Sequence, residues 1–189
     1  MKLRPTAFLM LGMLRLGVRS GYAIKRATDL STRFFWPTSL AAVYPELGRL
    51  ERAGLVIRRE DPHGARARAA YEISEQGEAA LEAWLRSPRQ APLQFRDEGV
   101  LRLFFADVLD GEDQLALVRR QRQRALAGVT QMRLQIIPTA MALEENGTRF
   151  PAIVARLGAD TYAYVAQWLE HLEESLEDQQ PAEGSPTGT

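Results

Sequence analysis

The sequence predicts a mainly α-helical chain with one small β-hairpin, organised as two consecutive domains. Apolar residues recur at helical spacing through most of the 189 residues. Two strand-like pieces, 55–59 and 70–73, flank a segment of turn residues and arginines. The stretch from Pro88 to Pro92 then separates this part from a wholly helical remainder. The predicted boundaries are 1–87 for the first domain, 88–95 for a linker, 96–178 for the second domain and 179–189 for a disordered tail.

Three helices are predicted before the hairpin, at 6–16, 21–30 and 39–52. Pro5 suits the start of the first helix, and Ser20 suits the cap of the second. The third has apolar residues at i, i+3, i+7 and i+10, which should form a stripe facing the core: Leu40, Val43, Leu47 and Leu50. Because Pro45 lacks a backbone donor, we expect a kink or a late start in this helix.

The hairpin leads into a fourth helix, which Ser74 can cap, at 75–86. Beyond the linker we expect helices at 96–109, 112–145 and 151–177, with a kink or break at Pro138. The last helix carries more apolar surface than short neighbours would cover, which favours pairing with a second chain over a bundle within one chain. Its predicted dimerisation residues are Leu157, Tyr162, Val165, Trp168, Leu169 and Leu172.

Composition argues against several classes of protein. There is no cysteine, which excludes disulfides, thiolate nucleophiles and cysteine zinc sites. The two histidines, His63 and His171, lie far apart, so no metal site is predicted. No phosphate-binding glycine loop and no nucleophile arrangement is present, and we predict no enzyme. A carboxylate cluster near the end of the last helix should be a solvated acidic face: Glu173, Glu174, Glu177 and Asp178.

Charge is unevenly distributed along a chain with zero net charge. Residues 1–88 carry 14 Lys and Arg against 9 Asp and Glu, and the remainder carries 10 against 15. Chance scatter is one explanation; the other is an anionic partner for the first domain. The apolar run 7–14 falls short of the roughly 20 residues that a membrane span needs, and we interpret it as a core helix rather than a signal peptide. A cytoplasmic protein is expected.

Two helices, an amphipathic third helix and a hairpin occur in the order of a winged helix-turn-helix, in which the third helix enters the major groove. The predicted DNA-binding residues of this helix are Thr38, Ser39, Ala42, Tyr44 and Arg49. Thr38 and Ser39 serve equally well as a helix cap, and Glu46 and Glu51 are spaced for intrahelical pairing with nearby arginines such as Arg49. In the hairpin, Arg66 and Arg68 alternate and should grip phosphate together, unless they are only solvated surface charges.

Four ordered segments resemble the PadR family of bacterial transcriptional regulators. LGMLRLGVRSGYAIKR is similar to the opening segment of that family, and FWPTSLAAVYPELGRLERAGLV to its recognition helix. AYEISEQGEAALEAWL resembles the strand-to-helix passage after the wing, and FRDEGVLRLFFAD the entry to the C-terminal domain of the longer members. The wing differs, since HGARARAAY replaces the family's usual Gly-Arg-Pro-Arg-Lys type of turn.

The resemblance implies a homodimer, with an N-terminal winged helix-turn-helix and a C-terminal α-helical dimerisation domain, that usually represses transcription. It also implies release from DNA by a small hydrophobic or phenolic effector, with Tyr44 and the basic wing facing DNA and the last helix supporting the dimer. No motif identifies an effector pocket. Aromatic residues at helical spacing are more often core than pocket: Trp84, Phe95, Phe104, Phe105, Tyr162, Tyr164 and Trp168.

The sequence therefore predicts a dimeric, sequence-specific DNA-binding regulator, which is a repressor on a palindrome-like operator of double-stranded DNA. No cofactor other than the effector is expected. The alternative is a helical protein-interaction module that retains the winged shape without specific DNA binding.

Overall fold

The computed structural model describes residues 3–61, 68–89, 92–93, 95–144 and 146–179. The chain divides into two compact units, Met1–Pro92 and Leu93–Thr189. Among the described residues, the N-terminal unit combines four helices with a two-stranded antiparallel sheet, and the C-terminal unit is helical. The predicted fold class is confirmed. No helix in the described ranges has the length and apolar character that a membrane crossing requires.

The first three helices are α1, α2 and α3, at Pro5–Arg15, Gly21–Asp29 and Leu40–Arg52. Pro5 occupies the first turn of α1, as predicted. After α1 the chain turns through Gly17 with a φ of +84°, a conformation that favours glycine. The cap predicted for α2 is also present, because the hydroxyl of Ser20 accepts a hydrogen bond of 3.1 Å from the amide of Ala23.

The inward stripe of α3 is confirmed at three of its four positions. Val43, Leu47 and Leu50 are fully buried, whereas Leu40 is 39% exposed. The prediction for Leu40 is wrong because it is the first residue of the helix and projects beyond the core. The late start suggested by Pro45 is also wrong, since α3 begins at Leu40 and continues through the proline. The helix there forgoes only the hydrogen bond that position 45 would donate to the carbonyl of Ala41.

The predicted hairpin is present, with strands β1 and β2 at Val56–Asp61 and Arg68–Ile73. Val56 pairs with Ile73, and Asp61 pairs with Arg68. Because Val56 and Tyr71 are buried, one face of the hairpin packs against the helices. The amide of Tyr71 also donates a 2.7 Å hydrogen bond to the carbonyl of Arg19, which ties β2 to the turn between α1 and α2.

Helix α4 at Glu75–Arg86 begins at a tight junction, which we call the α3–β1–α4 joint and define by Gly54, Leu55, Ser74 and Gly77. Ser74 makes three hydrogen bonds there. Its hydroxyl accepts from the amide of Gly77 at 3.0 Å and donates to the carbonyl of Gly54 at 2.7 Å. Its amide donates to the carbonyl of Leu55 at 3.1 Å. The predicted cap is therefore part of a contact among three elements.

The C-terminal unit contains a 3₁₀ turn at Ala106–Val108, a π-helical turn at Met132–Ile136, and helices α5 at Glu98–Phe104, α6 at Gly111–Gln131, α7 at Ile137–Glu144 and α8 at Phe150–Gln179. The predicted helix 96–109 is thus shorter and ends in the 3₁₀ turn. The helix does not break at Pro138, which lies within α7. Instead, the wide π-helical turn interrupts the regular helix just before this proline, whose ring would otherwise crowd the carbonyl of Leu134. Gln179 is the last residue of α8, and residues 180–189 of the predicted tail lie outside the described residues.

Helices α6 and α8 pack along their length through a cluster of buried residues: Val118, Ala125, Ala166 and Leu169. Small residues allow a close approach. A Cβ on Gly128 of α6 would lie 2.6 Å from the ring of Tyr162 of α8. The ring therefore occupies the space that the glycine leaves empty.

Charged side chains join the same two helices in what we call the α6–α8 ion-pair ladder: Arg119, Arg122, Glu170, Glu173 and Glu177. Arg119 donates to Glu173 at 2.7 Å and to Glu177 at 2.5 Å. Arg122 donates to Glu173 at 3.1 Å and also pairs with Glu170. The hydrogen bond from Arg119, supported by Arg122, holds the pKa of Glu173 below its ordinary value. The solvated acidic face predicted from sequence is therefore wrong for Glu173, whose side chain is 14% exposed, whereas Glu177 is ion-paired but still exposed.

Glu173→Gln should lower the melting temperature of the C-terminal unit by a few degrees at neutral pH, because the ladder loses its central carboxylate. The pKa of Glu173 is lower in the folded state, so its contribution is complete above the ordinary carboxyl pKa of about 4.3 and is lost as pH falls through the lower native value. The melting temperatures of wild type and Glu173→Gln should therefore become equal at acidic pH. Thermal unfolding at neutral pH and at about pH 3 tests this.

Glu174→Gln is the matched control, because Glu174 is exposed and pairs with no cation in the described part of the chain. Its melting temperature should equal that of wild type at both pH values. A Glu173→Gln variant as stable as the control at neutral pH would contradict the structural role of the ladder.

Candidate nucleic-acid interface

The outward side of α3 is fixed by what the helix buries. Val43, Leu47 and Leu50 hold it against the core, and this leaves Ser39, Ala42 and Tyr44 exposed near its N-terminal end. These three residues were predicted to contact DNA. Ser39 and Ala42 line one depression at the start of α3, whereas Tyr44 lies about 200° further round the helix than Ala42. Each is exposed, so this end of the helix offers a hydroxyl, a methyl group and a phenol for contact with a base edge or phosphate.

The start of α3 uses backbone rather than side-chain caps. Ser39 occupies the cap position, and its carbonyl accepts from Ala42 and Val43, but its hydroxyl makes no capping bond. The hydroxyl of Thr38 is buried and finds no hydrogen-bond partner among the described residues. Side-chain capping is therefore wrong for Ser39, whose hydroxyl is left accessible. The DNA contact predicted for Thr38 stays a prediction, and in this structure its hydroxyl oxygen does not reach the surface.

An open depression of about 460 Å³ borders the same end of α3, lined by Thr6, Lys25, Pro37, Thr38, Ser39 and Ala42. Lys25 brings an ammonium group to this surface and pairs with Asp29 one turn later on α2. Lys25 was not among the residues predicted from the sequence to contact DNA. The relevant signal was its position in the helix that precedes α3.

The ring of Tyr44 lies against the N-terminal end of α2. A Cβ on Gly21 would lie 2.6 Å from Cε1, 2.9 Å from Cζ and 3.1 Å from Cδ1 of the ring. Tyr44 is nevertheless 51% exposed, so one side of the ring touches backbone and the other remains accessible. The contact sets the position of a predicted DNA-binding side chain.

The arginines later on α3 are held by the helix itself. Glu46 is 4% exposed and forms an ion pair with Arg49. Arg52 donates from Nε to the carbonyl of Gly48 at 3.1 Å. The intrahelical pairing that sequence offered as the alternative for Arg49 is therefore present, and much of the charge of Arg49 serves to neutralise a buried carboxylate.

The wing carries charge on its described strands. Glu72 accepts from Arg59 at 2.8 Å and from Arg19 at 3.3 Å. The hydrogen bond from Arg59 holds the pKa of Glu72 below its ordinary value. Of the two arginines predicted to grip phosphate, Arg66 lies outside the described residues, and only the backbone of Arg68 is described. Arg59 and Arg19 are additional basic residues of this region that sequence reasoning did not select.

Helix α8 presents two apolar stripes. We define the outer stripe as Ile153, Leu157, Tyr164 and Trp168, which recur at near-heptad spacing and are exposed. Leu157 is 61% exposed and Trp168 49% exposed, so both predicted interface residues are accessible to a second chain.

The other four predicted dimerisation residues face α6 of their own chain. Leu169 is 2% exposed within the α6–α8 cluster, and Val165 and Leu172 pack against it. Tyr162 lies on Gly128. Helix α6 of the same chain thus covers part of the apolar surface that was expected to need a partner, and a role in dimerisation stays a prediction for these residues.

A second exposed apolar set lies at the start of the C-terminal unit. Leu101, Phe104, Phe105 and Val108 follow at i, i+3, i+4 and i+7, along α5 and the 3₁₀ turn. Phe104 and Phe105 meet edge to face, with ring centroids 5.0 Å apart. Sequence reasoning did not select this patch, although its amphipathic spacing was visible.

The aromatic residues expected to be core are mostly exposed. Phe95, Phe104, Phe105, Tyr164 and Trp168 are all at the surface, and that prediction is wrong for them. Trp84 stacks on Phe8 at 4.6 Å between centroids while keeping part of its surface accessible. In the described ranges, acidic and histidine side chains form no group that could hold a metal ion.

Comparison with known proteins gives two family matches along the chain. Residues 10–83 match the transcriptional regulator PadR-like family, and residues 95–177 match the virulence activator alpha C-terminal family. The negative transcriptional regulator PadR of Bacillus subtilis (strain 168) is 27% identical over 131 residues, which cover 69% of this chain and 72% of that protein.

Two solved structures of Bacillus subtilis PadR have the same fold. The complex with operator DNA aligns with a TM-score of 0.80 at 21% identity, covering 93% of this chain and 99% of the other. The complex with p-coumaric acid aligns with a TM-score of 0.69 at 20% identity, covering 92% and 99%. The two-part architecture is thus common to these proteins.

Proposed function

Because this chain belongs to the PadR-like family of transcriptional regulators, we propose that it is a homodimeric repressor that binds a palindrome-like operator and is released by a small molecule. The observation that carries the proposal is the exposed N-terminal side of α3. There Ser39, Ala42 and Tyr44 project away from a core that holds the helix rigidly.

In this proposal α3 enters the major groove and the hairpin lies beside it. The methyl group of Ala42 suits apolar contact with thymine, and the hydroxyl of Ser39 suits a base edge or a phosphate. The phenol of Tyr44 reaches the DNA from the α2 side of the helix. Lys25 adds positive charge at the same end, where it would help to position the backbone of the duplex.

The relatives support the regulatory part of the proposal. Bacillus subtilis PadR is named a negative transcriptional regulator, and one of its structures contains p-coumaric acid. We therefore propose repression, with release by a phenolic or similarly hydrophobic effector. Titration of a protein–operator complex with p-coumaric acid and related phenolic acids tests the release, which should appear as a weaker apparent affinity for the operator.

The dimer is proposed to form through the outer stripe of α8 and the apolar patch at Leu101, Phe104, Phe105 and Val108. Both surfaces are apolar and exposed in the single chain, and burial against a second copy would remove them from water. A two-fold pair of winged helices then meets two half-sites about one helical turn, or a multiple of a turn, apart.

Fluorescence anisotropy with fragments of the protein's own promoter region, against random-sequence competitor, tests the proposal. A repressor of this kind should bind one fragment with an affinity at least about a thousandfold above that for random DNA. A tight dimer that prefers no fragment would instead favour a protein-interaction module that has retained the winged shape.

The wing is proposed to hold phosphate through Arg66 and Arg68. Arg66→Ala/Arg68→Ala should weaken binding to operator and random DNA alike, and should reduce the slope of log affinity against log salt by about 2. Arg120→Ala/Arg133→Ala in the C-terminal unit is the control, since it removes equal charge from exposed helical positions outside the N-terminal unit. An unchanged slope in the wing variant would refute this contact.

A further inference from the structure

We infer that Gly21 is a positioning residue for DNA recognition: by lacking a side chain, it provides the surface on which the ring of Tyr44 rests, and so directs the phenol of Tyr44 towards the operator. The inference rests on the proposed function, and it assigns to α2 a role in setting the specificity of α3.

The backbone conformation does not require glycine at position 21. Among the described residues, positive φ angles occur at Gly17, Gly54 and Gly147 and not at Gly21. Gly21 lies in the first turn of α2, where Ser20 already provides the cap. Glycine weakens a helix relative to alanine, so an alanine here would favour the helix if nothing else opposed it.

What opposes a side chain at position 21 is the ring of Tyr44. The three heavy atoms nearest to a Cβ placed there all belong to this ring, at 2.6, 2.9 and 3.1 Å. Carbon atoms in van der Waals contact normally lie about 3.5–4.0 Å apart. An alanine and the present position of the ring are therefore incompatible.

The ring, rather than the helix, would have to yield. Val43 and Leu47 are fully buried in the core and fix the backbone of α3, while Tyr44 is half-exposed. A tyrosine has two principal side-chain torsions, so rotation about them relieves the contact and displaces the hydroxyl. The substitution therefore changes where the phenol points and leaves the core intact.

A double-mutant cycle tests the inference, with the four proteins wild type, Gly21→Ala, Tyr44→Ala and Gly21→Ala/Tyr44→Ala. Gly21→Ala should bind the operator on the order of tenfold more weakly, as expected for one displaced contact, and random DNA almost as well as wild type. In the Tyr44→Ala background, the same glycine substitution should have no further effect on operator affinity.

Thermal stability provides the readout that separates positioning from a structural role. Because alanine favours the helix, Gly21→Ala should melt at or above the wild-type temperature while its operator affinity falls. The matched control is Gly12→Ala in α1, where no atom lies within 4 Å of the added Cβ and φ is not positive. This control should leave operator affinity unchanged.

Equal operator affinity of wild type and Gly21→Ala would overturn the inference and leave the proposed function standing. An equal loss in the Tyr44→Ala background would also overturn it, because the effect would then not pass through the ring. Failure of wild type to prefer any operator fragment would remove the proposed function and the inference together. Should Gly21→Ala alone fail to fold, restored folding in the double variant would still identify the ring as the clashing group.

Discussion

Gly77→Ala is expected to lower the free energy of unfolding of the N-terminal unit by about 3 kcal/mol, the upper range for an overpacked site. A Cβ at position 77 would lie 2.2 Å from the carbonyl oxygen of Leu55 and 2.9 Å from Cγ1 of Ile73. The oxygen belongs to the backbone and accepts a hydrogen bond from Ser74, so it cannot move aside without loss of the joint. Urea unfolding, followed by the fluorescence of Trp36 and Trp84 in a Trp168→Phe background, measures the change.

Gly48→Ala on α3 is the matched control for this experiment. It adds the same methyl group to a helix, but the added Cβ would have no neighbouring atom within 4 Å, and the φ of Gly48 is not positive. Alanine should stabilise α3 slightly, by up to about 1 kcal/mol. If Gly77→Ala were as stable as Gly48→Ala, the close approach of α4 to Leu55 would not hold in solution.

Leu157→Ala/Trp168→Ala is expected to raise the dissociation constant of the dimer about 100-fold, which corresponds to about 2.8 kcal/mol. Both side chains lie on the outer stripe of α8, and a buried tryptophan is a frequent centre of interface energy. Because they are exposed in the single chain, the monomer should keep its fold. Sedimentation equilibrium gives the dissociation constant, and circular dichroism reports the helical content.

Arg156→Ala/Gln167→Ala is the control for the dimer experiment, since these exposed residues have the same spacing on α8 and each precedes a stripe residue by one position. The control should dimerise like wild type. At concentrations where the Leu157→Ala/Trp168→Ala variant is monomeric, operator affinity should also fall, because a single winged helix meets one half-site. A variant that remained a tight dimer would place the interface elsewhere.

Local sequence signals were sufficient for most of the secondary structure. Serine followed by helix-forming residues predicted the starts of α2 and α4 at Ser20 and Ser74, and both hydroxyls accept the expected amide. Periodicity predicted the burial of Val43 and Leu47. The caps and the buried stripe depend on residues a few positions apart in the chain, so both can be predicted from local sequence.

The partition of α8 into two faces was not predictable in the same way. Apolar residues surround much of this helix, and the position of α6 decides which of them are covered. Leu169 and Trp168 are adjacent in the chain, yet one is core and the other is surface. Likewise, nothing near Gly21 in sequence indicates the ring of Tyr44, because the contact joins two helices.

The two faces of α8 also bear on how such regulators diverge. If the outer stripe is the proposed dimer surface, substitutions there change what is offered to a second copy, while the buried residues that pack on α6 lie on the other side of the helix. After gene duplication, two sister copies can therefore acquire incompatible outer stripes without loss of folding. Each would then pair only with itself, and two regulatory circuits in one cell would remain separate.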